Sequence, residues 1–169
     1  GQGATSPAER VSLTNIAVYQ AAWSPDGDRV AFVRGDTIFG GRVGDTASFV
    51  IAVHAAAYLG LHSPAWSPRG RRIAYVNGNY DWLSSGNVSG SSLWIVDAVG
   101  GDPVPVTSDD HMNLSPAWLD EDHLLFVSDR DGSRKAYLLR LGRDGARGEP
   151  ELIPGIDDPH SISYSVGTR

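Results

Sequence analysis

One short phrase recurs along this chain, and it leaves few folds open. Ala22-Trp23-Ser24-Pro25-Asp26-Gly27-Asp28-Arg29-Val30-Ala31-Phe32-Val33 returns as Ala65-Trp66-Ser67-Pro68-Arg69-Gly70-Arg71-Arg72-Ile73-Ala74-Tyr75-Val76. A looser copy starts at Ala117-Trp118-Leu119 and runs to Phe126-Val127. A fourth opens at Ser161-Ile162-Ser163-Tyr164-Ser165, where the sequence stops. The anchors Trp23, Trp66, Trp118 and Tyr164 are 43, 52 and 46 residues apart. A repeat of that length cannot bury its apolar face alone; it matches the period of β-propeller blades built from four strands each.

The residues inside each copy have strand and turn chemistry. Pro25 sets φ for the first turn position, and Gly27 and Gly70 supply the left-handed conformation that closes the turn. The flanks are β-branched and aromatic. A second turn is expected at Asp129-Arg130-Asp131-Gly132 and a third strand at Leu93-Trp94-Ile95-Val96-Asp97. Gly100-Gly101 then turns the chain into an outer strand near Val104-Pro105-Val106-Thr107, where prolines cost little at an edge. Glu151-Leu152-Ile153-Pro154 and Val11-Ser12-Leu13-Thr14 read as further outer strands. Ala52 to Leu61 is the most helix-like patch, but Val50-Ile51-Ala52-Val53 favours a strand. The expected fold is all-β: a tail over 1–10, then one partial propeller over 11–169. Its antiparallel four-stranded blades span about 18–54, 62–107 and 114–154, a further blade starts over 160–169, and an orphan strand stands at each end.

Composition narrows the function classes. The 169 residues carry a formal charge of −6 and a pI near 5.2, which argues against a nucleic-acid partner. Cysteine is absent, which excludes disulfides, thiolate catalysis and thiolate metal sites. No apolar run reaches the length of a membrane-spanning helix. The sequence begins at Gly1 rather than Met, so a processed or engineered start is expected.

At these repeats the chain resembles the TolB-type β-propeller family, a relative of WD repeats. His62-Ser63-Pro64-Ala65-Trp66-Ser67-Pro68 through Tyr75 is a close match to the family signature. Leu114-Ser115-Pro116-Ala117-Trp118 matches at its start and then lacks the Pro-Asp-Gly turn. Ser128-Asp129-Arg130-Asp131-Gly132 fits the second-turn pattern. The resemblance covers roughly residues 11 to 165. It implies a propeller of the kind found in the periplasmic translocation protein, in prolyl-oligopeptidase-like enzymes and in regions attached to bacterial serine/threonine kinases. The His-Ser-Pro-Ala-Trp and Asp-Pro-His-Ser-Ile-Ser-Tyr-Ser wording is most similar to the kinase-attached kind. An extracytoplasmic or periplasmic location is the corresponding expectation.

Three blades do not close a ring, since propellers use about 4–8. The expected partner is therefore a second copy of this chain, or the remainder of a longer propeller. The expected function is a non-catalytic module for protein or ligand binding and self-assembly, such as a sensor region. The alternatives are a substrate-gating piece of a peptidase, or a metal site that would serve a lyase or hydrolase. No Gly-x-Ser-x-Gly nucleophile elbow and no phosphate-cradling Gly loop with Lys is present.

Candidate site residues lie on the connections that lead into each inner strand. His62 and His160 each stand four residues before the anchor aromatic, and His111 stands seven before Trp118. Two of these connections add acid pairs, Asp109-Asp110 and Asp157-Asp158. Converging near the axis, such groups suit a divalent cation or a polar ligand. The opposing reading is that the histidines hydrogen-bond their own blades while the aspartates cap turns. Trp23, Trp66, Trp94, Trp118 and Tyr137 are expected in the inter-blade core because their positions follow the repeat. Tyr80 and Trp82, in a Gly/Ser-rich insertion, are candidates for a partner contact.

Overall fold

The continuous apolar runs at the centre of each repeat become central strands buried on both faces. The computed structural model describes residues 20–54, 60–78, 90–108, 110–142 and 144–162. Among these every regular element is a strand. Blade one is an antiparallel sheet in the order β1 (Gln20–Trp23), β2 (Arg29–Arg34), β3 (Thr37–Arg42), β4 (Ser48–Val53). Blade two repeats it with β5 (Leu61–Trp66), β6 (Arg72–Asn77), β7 (Ser92–Asp97) and β8 (Val104–Pro105). Blade three has β9 (Asn113–Trp118), β10 (His123–Ser128) and β11 (Lys135–Gly142). The outer edge of β11 is shared by β12 (Gly145–Ala146) at one end and β13 (Glu151–Asp157) at the other.

Period-two alternation sends neighbouring residues of each central strand to opposite blades. In β6, Ile73 and Tyr75 join Ala31, Val33, Ile38 and Ile51 of blade one in one core cluster. Ala74 and Val76 join Leu114, Phe126, Tyr137 and Leu139 of blade three in the other. Each cluster fills one inter-blade gap, so the blades stack face to face. The inner strands β1, β5 and β9 lie side by side in sequence order.

The repeated turns form as their residues dictate. Gly27 and Gly70 have φ of +78° and +63°, and their amides donate to the carbonyls of Ser24 and Ser67 at 2.9 and 2.8 Å. The Ser24 and Ser67 hydroxyls accept the Arg29 and Arg72 amides at 2.9 and 3.1 Å. The third copy, lacking Pro and Gly, closes instead through the Asp120 carboxylate, which accepts the Asp122 amide at 2.8 Å.

The Ser-Pro pair before the anchor leaves its own mark. Ser63 and Ser115 both sit at φ +52°, and the β5–β6 and β9–β10 registers slip beside them. A left-handed conformation just before proline is disfavoured and bends the strand. Blade one has Gln20-Ala21 there, and its β1–β2 register is continuous.

Three expectations are corrected. Trp23 is 56% exposed rather than in the core, because no earlier blade covers it among the described residues. The outer strand of blade two stops at Pro105; Val106 and Thr107 bond Leu93 individually. Asp157, expected in a connection, ends β13 opposite Lys135. Asp109, Tyr80, Trp82, Tyr164 and the strand read at 11–14 lie outside the described residues.

Candidate functional site

The candidate histidines work locally, and His62, expected on a connection, lies inside β5 opposite Val76. His62 is buried, and its Nε2–H donates to the Gly78 carbonyl at 2.9 Å. Nδ1 is then the acceptor for the Ser63 hydroxyl, also at 2.9 Å. Burial pushes this imidazole down to about 4, against a weaker upward pull from the Gly78 bond. His111 is exposed, with Nδ1 3.9 Å from Asp129 Oδ1. His160 is exposed and stands 3.3 Å from Arg134, which bonds Asp158 at 2.8 Å. Asp110 is exposed. Among the described residues no three His or acidic side chains are grouped to hold a metal ion. His62 braces blade two, while Asp158 and His160 gather at Arg134.

Residues that the repeat pattern did not single out join the blades more firmly. Buried Asn113 brings its amide nitrogen to the Ser91, Ser108 and His111 carbonyls at 2.7, 3.0 and 3.0 Å, and so sews blade two to blade three. His54 follows the outer strand of blade one. Its Nε2 meets the Tyr75 hydroxyl at 2.5 Å and its ring stands edge-on to Trp94 at 4.6 Å. Partial burial lowers its pKa. Neither residue carries a sequence signal, since each is a lone polar group beside an apolar run.

The anchor tryptophans form a repeating latch. Trp66 Nε1 donates to the Ala22 carbonyl of the preceding blade at 2.9 Å. Arg29 of that blade lies over the Trp66 ring, 4.8 Å from its centre, and donates to the Gly70 carbonyl at 3.0 Å. A Cβ on Gly70 would stand 2.6 Å from that guanidinium and displace it, and the φ of +63° already favours glycine. One blade on, Trp118 Nε1 donates to Ala65 O at 3.0 Å. Arg72 covers its ring at 5.0 Å and bonds the Glu121 carbonyl. Hydrogen bond, cation–π contact and burial act together at each gap. The signal was legible: Arg29 and Arg72 occupy the same place in their repeats. In blade three that place belongs to His123, whose Nδ1 is 2.9 Å from Asp120.

The same architecture recurs in solved structures. TolB from Acinetobacter baumannii aligns with a TM-score of 0.55 at 19% identity, over 78% of this chain and 32% of that one. A putative TolB from Agrobacterium tumefaciens aligns at 0.60 and 19%, over 82% of this chain and 49% of that one. The fold is a TolB-like β-propeller. A puromycin-hydrolyzing peptidase from Mycobacterium tuberculosis is also similar, with a TM-score of 0.59 at 21% identity, over 78% of this chain and 22% of that one. The chain thus spans between about a fifth and about half of the length of these structures. No family profile matches the sequence, and no curated protein is similar to it.

Proposed function

We propose that this stretch is a non-catalytic propeller module that binds protein through its blade ends and assembles with a second copy of itself. One observation carries the reading. Trp66 and Trp118 are 8% and 5% exposed beneath their latches, whereas Trp23, the same residue of the repeat, is 56% exposed. Trp23 carries an indole N–H and an apolar ring suited to a neighbouring blade with a carbonyl and a side chain that covers the ring. Blade three offers the corresponding groups, the Ala117 carbonyl in the strand position of Ala22 and Ala65, and His123 in the position of the latch arginine. Covering Trp23 removes roughly 100–150 Å² of apolar surface from water, about 3 kcal/mol before the costs of association.

Light scattering on a size-exclusion column tests this. A dimer or trimer that falls apart in Trp23→Ser supports assembly through the blade end. A monomer at concentrations of about 100 μM overturns it, since a specific contact of this kind is expected to be tighter.

A second reading takes the stretch as the propeller portion of a peptidase, with the chemistry held elsewhere in a longer chain. The shared architecture with the puromycin-hydrolyzing peptidase favours it. Peptide hydrolysis by the full-length parent protein, absent from this stretch alone, is its expected outcome.

A further inference from the structure

Five arginines line one groove, although the chain as a whole is acidic. Between blades two and three, where the strand-connecting turns of both blades meet, lies a groove of about 840 Å³. The turn between β5 and β6 contributes Arg69 and Arg71, and the start of β6 contributes Arg72. Blade three contributes Arg140 near the end of β11 and Arg147 just after β12. The acidic residues on the same walls are Asp97, Glu121 and Asp122, so cations outnumber anions there by five to three. The whole chain has the reverse balance, 14 to 20.

The acids are partly occupied by the fold. Glu121 Oε1 accepts the Arg69 amide at 2.6 Å, and Asp122 stands 3.7 Å from Arg72. Arg72 is committed to the Trp118 latch, and Arg140 pairs with Glu151 at 3.2 Å. The Arg71 and Arg147 guanidinium groups are exposed and form no ion pair with a described residue. The Arg147 side chain packs across Gly142, where a Cβ would stand 2.5 Å from its Nε. The groove opens on the turn side of the blades. His62 and Gly78 mark the other end of the same strands.

We propose that this groove binds a small multivalent oxyanion, a molecule with two or more carboxylate or phosphate groups. Guanidinium is the cation whose fork matches both groups bidentately, and its weak hydration lowers the cost of giving up water. Arg71 and Arg147 hold opposite ends of the ligand, Arg69 closes over it, and the volume is that of an ordinary small-molecule site. The engaged carboxylates Glu121 and Asp122 keep one wall in place. An oxyanion with a single charge satisfies only one of the two arginines.

Citrate and pyrophosphate are the probes, titrated calorimetrically at constant ionic strength, with acetate as the singly charged comparison. The expected result is saturable one-to-one binding of at least one multivalent probe, weakened about tenfold in Arg71→Gln and again in Arg147→Gln. Arg42→Gln, an exposed arginine outside the groove, leaves it within about twofold. Citrate alone assigns the site to polycarboxylates, pyrophosphate alone to phosphates, and both to the shared chemistry. Three results would overturn the proposal: no saturation by about 10 mM of either probe, equal binding of acetate, or equal weakening by Arg42→Gln. All three variants change exposed side chains, and their circular dichroism and melting curves establish that the fold is kept. Oligomeric state does not enter the readout, so a failed titration leaves the assembly reading standing and the reverse holds as well.

Discussion

Lowering the pH from 7 to 5 destabilises this fold through His62. The folded protein holds the imidazole neutral, with its pKa at about 4 against an ordinary value of 6.5. The unfolded chain takes up a proton as the pH falls through 6.5, and the folded chain does not. Stability is therefore intact above about pH 6.5 and declines below it, until the folded pKa is passed near 4. The loss due to this group is about 2 kcal/mol at pH 5 and about 3 kcal/mol in total. In a domain of this size 2 kcal/mol lowers Tm by roughly 4–8 °C. The structural origin is specific: Nε2–H must donate to Gly78 and Nδ1 must accept from Ser63, and a protonated ring cannot accept. His54 shifts in the same direction, and the lowered carboxyls of Asp26 and Asp120 add their losses at still lower pH. The comparison that isolates His62 is with His62→Gln, whose amide can donate to Gly78 but does not titrate. Urea unfolding at pH 7, 6 and 5 should give the variant about 2 kcal/mol less pH dependence than the parent. Parallel stability profiles for the two proteins would refute the argument.

Other substitutions probe the joints between blades. Trp118→Phe removes the bond to Ala65 and much of the contact with Arg72, and should cost about 2 kcal/mol in chemical denaturation. Trp23→Phe, made in the monomeric state, should cost less than about 0.5 kcal/mol, because that ring is exposed. Asn113→Ala takes a donor from the Ser91 and Ser108 carbonyls, while the His111 carbonyl keeps the Ser91 amide, and should cost about 2 kcal/mol, with faster hydrogen exchange at the start of β9 as an independent sign. Ser115→Val places a β-branched side chain at φ +52°, so a loss of about 2 kcal/mol is expected; an unchanged melting temperature would count against strain at that bulge.

Sequence periodicity alone determined the blade count, the identity of each central strand and the turns that follow the anchors. The reason is local. Ser-Pro-x-Gly closes a turn through its own dihedral preferences, and a run such as Ile73-Ala74-Tyr75-Val76 is apolar on both faces only if both faces are to be covered. The bulges at Ser63 and Ser115 likewise follow from a Ser-Pro pair that blade one lacks. What the repeat could not convey is which neighbour each side chain meets. Trp23 and Trp66 are the same residue of the repeat, yet one is exposed and the other latched, because burial depends on the blade before it. His62 and His160 match by position, yet one is sealed in blade two and the other lies at the surface beside Arg134. The arginine groove was hidden for the same reason. Arg71 and Arg147 are 76 residues apart and carry no shared motif. Only the stacking of blade three on blade two turns isolated surface charges into two facing walls, where their fields add.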